Sequence, residues 1–342
     1  MNLRSRPNLY LHAGTHKTGT TSIQAFAAKN RPALFKKGLL YPKAAPLIYR
    51  LKGIHAHHWF AHALAGKSPL PITVNSVKSY TEKWFNQALK HNADVFISIE
   101  ALYRHRLGDG SYSDNRKNYL KKVEEILNKF NVIVILVFRR PDDYVRSLYQ
   151  GQIMDSTKSL QEFKYYYNGN PKRVRYYQNA AIFKEIFKDV RCLIYEDLAT
   201  SGQFFNDFFN VIGMDISDLD TVGVLRKSFS VPETLLKNYA NQYLSNRREN
   251  KRFLRWMKSP GVTEQIQKVY GNKEYDLWPS HSARKEFIIS REKDLKKLSK
   301  TFFSERTQLF PPLKEGDTAP VVPELPEELK KMVLGYFGRN SE

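Results

Sequence analysis

The sequence predicts an α/β fold, with a central parallel β-sheet flanked by helices and a helical C-terminal elaboration. Three observations carry this. Strand-like and helix-like segments alternate from residue 8 to residue 200, the pattern of a parallel sheet with crossover helices. "NVIVILVF" (131–138) is a continuous β-branched, apolar run, as expected of a central strand buried on both faces. "LYLHAGTHKTGTTSIQAF" (9–26) passes from an apolar run, through a loop with two glycines, a lysine and four threonines, into an amphipathic segment. A strand–loop–helix unit of that kind can cradle a phosphate.

The elements follow in order. Residues 8–13 predict a short buried strand, and 19–30 a helix ended before Pro32. "GLLYP" (38–42) predicts a second short strand stopped by Pro42. Apolar positions at helical spacing predict helices over 54–65 and 74–91, the latter with Trp84, Phe85, Ala88 and Leu89 in one stripe. "ADVFISIE" (93–100) predicts a strand and 115–130 a helix with a basic exposed face. Pro141, favoured in a first turn, opens the helix after the 131–138 strand. The polar, Tyr-rich stretch 154–173 reads as a mobile lid over the sheet's active edge. Residues 172–188 predict a helix and "VRCLIYE" (190–196) a strand. Beyond residue 200 the pattern turns helical and more basic, and the Pro- and Glu-rich stretch 314–329 reads as extended up to a last short helix. The expected organisation is one domain over 1–313, with the sheet within 8–200 and the elaboration over 201–313, followed by a tail over 314–342.

A chain of 342 residues can bury a sizeable core without covalent staples. Its 42% hydrophobic content argues against wholesale disorder. The net charge of +21 predicts an anionic partner: a nucleotide, a nucleic acid, an acidic glycan or a membrane face. One cysteine, Cys192, excludes an intramolecular disulfide and a cysteine-based zinc site, and reads as a small buried strand residue. The apolar run near the basic N-terminus is too short for a signal peptide and is broken by His12. No stretch approaches the 18 apolar residues of a membrane span, so a cytoplasmic location is the expectation.

The loop after the first strand is not that of an ATPase. Gly14 and Gly19 have the separation of a Walker A loop, but Thr20 stands where its lysine would, and Lys17 precedes Gly19 by two residues. The anion-binding physics survives, since close backbone approach, a helix N-terminus, a lysine and threonine hydroxyls all stabilise negative charge. After the long central strand comes "FRRPDDYVRSLY" (138–149), with Arg139, Pro141, Asp143 and Ser147 in an R-x-P-x-D-x-x-x-S skeleton. An ordinary turn or basic strand end explains either feature singly, but less well the pair. Two anion sites suggest a nucleotide phosphorylated at two places.

At these residues the sequence resembles the sulfotransferases that use 3′-phosphoadenosine 5′-phosphosulfate (PAPS). Their K-[ST]-G-T-T loop is matched by Lys17, Thr18, Gly19, Thr20 and Thr21. Their 3′-phosphate motif is matched by Arg139, Pro141 and Ser147. "IYEDL" (194–198) resembles their Y-E-D segment, which implies that Tyr195 borders the adenine. "HKTGTTSIQ" followed by "GLLYP" is similar to the bacterial carbohydrate-type members. The motifs stand in the family's order within 9–200. The Arg-Lys-Gly stretch of the cytosolic enzymes has no plain counterpart, because "LRKSFS" (225–230) offers Arg226 and Lys227 but no glycine. The resemblance implies a P-loop-like fold, PAPS as co-substrate, no metal, and a hydroxyl or amine of a glycan or glycolipid as acceptor.

Sulfuryl transfer is in-line displacement at sulfur. Charge grows on the bridging oxygen, where Lys17 is the candidate cation, and backbone N–H groups of residues 18–21 would hold the 5′-phosphate. An acceptor hydroxyl also needs a general base. Glu100, at the end of its strand, is one candidate; its plain reading is a helix-start carboxylate or a salt bridge to Arg104. The rival is "HAHHWFAH", with His55, His57, His58 and His62. Of these, His57 and His58 are candidates for acceptor binding or catalysis. His58 and His62 share a helical face, but no third strong metal ligand accompanies them. In "NRRENKRFLRWMK" (246–258), Arg248, Lys251, Arg252 and Arg255 read either as a dock for an acidic acceptor or as a solvated face, with Phe253 and Trp256 in the core. Two other functions remain open: an ATP-using P-loop kinase, and a catalytically silent polyanion-binding protein of the same fold. No DNA or RNA motif is present, so no nucleic-acid partner is expected, whereas peripheral membrane association is compatible with the charge.

Overall fold

Five strands form one sheet: β1 (Asn8–Gly14), β2 (Leu39–Leu40), β3 (Asp94–Ser98), β4 (Asn131–Phe138) and β5 (Asp189–Ile194). Their order is β2-β3-β1-β4-β5, and every pair is parallel. The computed structural model describes residues 6–43, 55–68, 71–169, 171–223, 229–304 and 306–339. Parallel neighbours need crossover connections, which the intervening helices supply. β1 and β4 are central, with Leu9 opposite Val95 and Val132, and Leu11 opposite Ile97 and Val134. Helices flank the sheet, which is why β4 reads as a continuous apolar run. β5 is an edge strand, so Cys192 is half-buried there rather than enclosed; burial still pushes its thiol pKa up.

The chain divides into two compact units. The first joins residues 1–140, 175–225 and 293–311; the second joins 141–174, 226–292 and 312–342. These units cut across the division into 1–313 and a tail. The first contains the sheet. On one face Ile23, Phe26 and Ala27 of helix α1 (Thr20–Lys29) join Ile135 and Val137 of β4 and the rings of Phe208 and Phe209 in one core cluster. α1 ends before Pro32 as expected, and Pro32 stands in the first turn of the next helix, Arg31–Lys36, where its missing N–H is harmless. β3 stops at Ser98, and Glu100 opens a 3-10 turn, Glu100–Tyr103. Tyr195 likewise starts a helix, Tyr195–Thr200, instead of ending β5. Residue 54 of the 54–65 segment, and Arg226 and Lys227, lie outside the described residues.

The second unit is helical. Leu236, Ala240, Phe253, Met257, Val262 and Ile266 form its core with Leu329 and Val333 of the C-terminal helix Glu327–Tyr336. The last helix is therefore part of this unit's packing. On the basic helix Arg247–Trp256, Phe253 is buried and Trp256 lies 4.7 Å from the Tyr336 ring, while Arg248, Lys251, Arg252 and Arg255 are exposed. The stretch read as a lid holds a helix, Phe163–Gly169. Its Phe163 is buried edge-on to Trp278 at 5.0 Å, and Tyr167 is 4.6 Å from the same ring. Aromatic burial on Trp278, invisible at that distance in sequence, replaces the open loop.

Arg284, 3% exposed in its side chain, ties this unit together. Its guanidinium donates to Asp142 (2.6 Å), Asp276 (3.2 Å), Asp143 (3.0 Å) and the Asp317 carbonyl (2.9 Å). Arg146 donates to Asp143 (2.8 Å) and Asp276 (3.3 Å). Asp143, part of the R-x-P-x-D skeleton, thus has a structural partner set. Removing one member of a buried ion network leaves the others' charges uncompensated, at a cost of about 3–5 kcal/mol. Arg284→Met should therefore lower the urea midpoint of the second unit strongly. Unchanged unfolding, followed by tryptophan fluorescence, would show that the network contributes nothing.

Candidate functional site

The site is built on the carboxyl edge of the sheet, where β1 turns into α1. Gly14 ends β1 with φ 118°, and a Cβ there would meet the Tyr103 Cβ at 3.2 Å and the Glu100 Cβ at 3.5 Å. The missing side chain lets the Glu100–Tyr103 turn pack against the loop. Thr15 stitches the loop to β4, its backbone N–H (2.9 Å) and hydroxyl (3.0 Å) both donating to the Val137 carbonyl. The Thr18 hydroxyl closes the loop on the Thr15 carbonyl (2.8 Å).

Lys17 has a left-handed backbone, φ 64°. That conformation costs a non-glycine residue about 1–3 kcal/mol and clusters at functional positions. Gly19, φ 75°, is the N-cap of α1, and no side chain caps that helix. No acidic residue occupies its first turn, so the helix itself supplies no negative charge to its positive end. A Cβ on Gly19 would lie 2.3 Å from the Phe204 ring. Thr20 and Thr21 open the helix, with the Thr20 hydroxyl 3.5 Å from Glu100 Oε1.

Arg139 joins this loop from the end of β4. It donates to the Lys17 carbonyl (3.2 Å), and its guanidinium lies over the Tyr195 ring at 5.1 Å. Its own carbonyl accepts from the Tyr176 hydroxyl (2.8 Å), and the next backbone N–H, of Arg140, donates to Glu196 (2.9 Å). Its buried Nε finds no hydrogen-bond partner among the described residues. Phe204 touches the Gly19 position and lies 6.4 Å from Tyr195. Lys17, Gly19, Arg139 and Tyr195 are therefore brought together. Ser147 is on the helix Pro141–Asp155 of the second unit, half-buried.

Glu100 is the hub of the rim. It is 7% exposed. Oε2 accepts from Gln24 Nε2 (2.7 Å); Oε1 is 3.1 Å from His58 Nε2 and 3.9 Å from His16 Nδ1. Burial alone would raise its pKa. The hydrogen bond and charge of His58, with the charge of His16, outweigh burial and hold it well below the usual carboxylate range. His57, adjacent in sequence, is elsewhere. It is fully buried, its Nε2 3.2 Å from the Pro42 carbonyl and its Nδ1 accepting from the Ser98 N–H (3.4 Å), between the rings of Tyr41 and Trp84. With both ring nitrogens committed, it is a core histidine. His62 pairs with His105 (2.9 Å). Among the described residues no group of three or more His, Cys, Asp or Glu is arranged to hold a metal, and no helix is long and apolar enough to cross a membrane.

The sequence reading missed Gln24, His16, Tyr176, Glu196 and Phe204. Gln24 left a signal: a polar residue beside Ile23 and Ala27 on the buried face of α1. Phe204, far along the chain, left none. No protein-family model matches the chain, and no curated protein matches it.

Two outcomes test this geometry. An alanine at Gly19 must adopt a left-handed backbone, costing about 1–2 kcal/mol, and must displace Phe204. Gly19→Ala should lower the melting temperature, and Phe204→Leu in that background should recover part of the loss; no recovery would mean that the ring contact is not limiting. The second outcome is pH dependence. Burial pushes His12 down to about 4 and His57 down to about 3, from an ordinary value of about 6.5. The unfolded chain then binds more protons below that value, so stability is complete above it and is lost as pH falls towards the folded values. Each residue should contribute up to about 1.4 kcal/mol per pH unit. Urea midpoints that stay flat from about pH 7 to about pH 4.5 would contradict it.

Proposed function

We propose that the chain is a PAPS-dependent sulfotransferase acting on a hydroxyl or amine of a glycan or glycolipid. One observation carries the reading: Lys17, in a left-handed backbone, and Arg139, stacked on Tyr195, meet around Gly19 at the open end of α1. Cationic side chains, an uncapped helix end and an aromatic face suit a phosphorylated adenine nucleotide. The buried, unpartnered Arg139 Nε is a donor that a 3′-phosphate would satisfy. An ATP kinase would need a lysine where Thr20 stands.

In this reading the acceptor oxygen attacks sulfur in line with the leaving 3′,5′-bisphosphate. Lys17 neutralises the charge that grows on the bridging oxygen, an interaction stronger in the transition state than in the ground state. Backbone N–H groups of residues 18–21 hold the 5′-phosphate, with the Thr20 and Thr21 hydroxyls near by. Arg139 binds the 3′-phosphate, and Tyr195 borders the adenine. The exposed cations Arg248, Lys251, Arg252 and Arg255 suit an acidic acceptor. A cytoplasmic location belongs to the same proposal.

Adenosine 3′,5′-bisphosphate should raise the melting temperature far more than ATP at equal concentration, as a ligand at 100 times its Kd adds about 2.7 kcal/mol. Arg139→Ala should remove that preference. Equal shifts with both nucleotides would favour a kinase. Transfer of sulfur-35 from labelled PAPS to a panel of glycans and lipids tests the reaction itself. Lys17→Ala should then lose most of its turnover without losing its fold, and full turnover in that variant would take Lys17 out of the mechanism.

A further inference from the structure

Glu100 has the position of a general base but not the surroundings of one. A base must take up a proton, and each oxygen of its carboxylate already faces a close nitrogen donor. Gln24 Nε2 donates one amide hydrogen to Glu100 Oε2 (2.7 Å) and directs the other at Ser98 Oγ (3.0 Å). The amide nitrogen faces two acceptors, which assigns its orientation. Ser98 Oγ, having accepted from Gln24, passes its own hydrogen to His12 Nδ1 (2.9 Å). The chain His12–Ser98–Gln24–Glu100 is buried throughout and has one direction. It anchors a carboxylate whose other oxygen lies 3.1 Å from His58 Nε2.

That contact fixes the His58 tautomer. An ionised carboxylate accepts, so Nε2 carries the hydrogen, and in the neutral ring Nδ1 keeps its lone pair. Nδ1 is buried and has no hydrogen-bond partner among the described residues, although the side chain as a whole is 32% exposed. An unpartnered buried polar atom is uncommon enough to call for an explanation, and a catalytic role is one.

We propose that Glu100 does not itself take the acceptor's proton but orients His58, which does, and that Gln24 is the positioning residue holding Glu100 for that task. The inference rests on the sulfotransferase reading for its chemistry. As the acceptor oxygen bonds to sulfur, the bond from sulfur to the bridging oxygen breaks and its electron pair leaves with the bisphosphate. The acceptor's proton passes to His58 Nδ1, and the resulting imidazolium is offset by Glu100, which stays unprotonated.

The test begins with nitrogen-15 NMR of the full-length chain carrying labelled histidine, which needs neither donor nor acceptor. His58 should show a single tautomer with its hydrogen on Nε2. Glu100→Gln and Gln24→Met should each mix its tautomers, while His57, pinned by Pro42 and Ser98, keeps its own and reports that the fold is intact. A hydrogen on Nδ1 in the wild type overturns the proposal, even if both variants fail to fold. So does a His58 tautomer unmoved in Glu100→Gln. With an acceptor found by sulfur-35 transfer, His58→Gln and Glu100→Gln should each lose about 10²–10⁴-fold in turnover, and the double variant no more than the larger single loss. Wild-type turnover in His58→Gln would return the role to Glu100. If no PAPS transfer occurs at all, the sulfotransferase reading falls, and the tautomer measurement alone decides the orientation claim.

Discussion

A buried carboxylate that stays ionised organises the carboxyl edge of the first unit's sheet. Moving Glu100 out of water favours its neutral form, and that tendency must be offset by donors from other parts of the chain. Those donors come from α1 through Gln24 and from the helix His58–Leu64 through His58. β3 contributes Ser98, which fixes Gln24 in turn. Each element is therefore constrained in distance and in rotation about its axis. The 3-10 turn that carries Glu100 packs closely on Gly14, where a Cβ would crowd Tyr103. A glycine that reads as part of a phosphate loop thus also sets where a carboxylate sits.

The loop between β1 and α1 is constrained from its other side by aromatic packing. Phe204 fills the space that a side chain on Gly19 would take, and it stands near Tyr195, on which Arg139 rests. Arg139 is held at three points: Tyr176 on its carbonyl, Tyr195 under its guanidinium, and the Lys17 carbonyl. These contacts use backbone carbonyls and a ring face. Holding charge in place before a ligand arrives avoids the reorganisation that a flexible arginine would undergo.

The legible parts of the fold were those governed by local pattern. β4 coincides with its apolar run, and the helix after it starts at Pro141 as expected. The convergence of Lys17, Arg139 and Tyr195 follows from motifs at the ends of neighbouring parallel strands. What could not be read depends on partners remote in sequence. Asp143 looked like a motif position, but its partner Arg284 is 141 residues away. His57 and His58 are adjacent, and only the phase of the helix start decides that one enters the core and the other meets Glu100. Phe163 made a polar stretch into packed helix through Trp278. The division into two units was not visible either, because each is assembled from separated segments.

That interleaving bears on how the molecule comes into being. The backbone passes from one unit to the other after residues 140, 174, 225, 292 and 311. Neither unit is a continuous stretch, so no single cut releases one whole. The sheet's strands are all synthesised by residue 194, yet the first unit's last segment, 293–311, follows nearly one hundred residues later, about 5–20 s at common elongation rates. Domain-by-domain folding during synthesis is closed to such a chain, and loop closure over long separations must precede its final packing. Until then the emerging sheet is exposed to misassembly, which makes folding of this protein a race between completing the chain and sequestering its apolar strands.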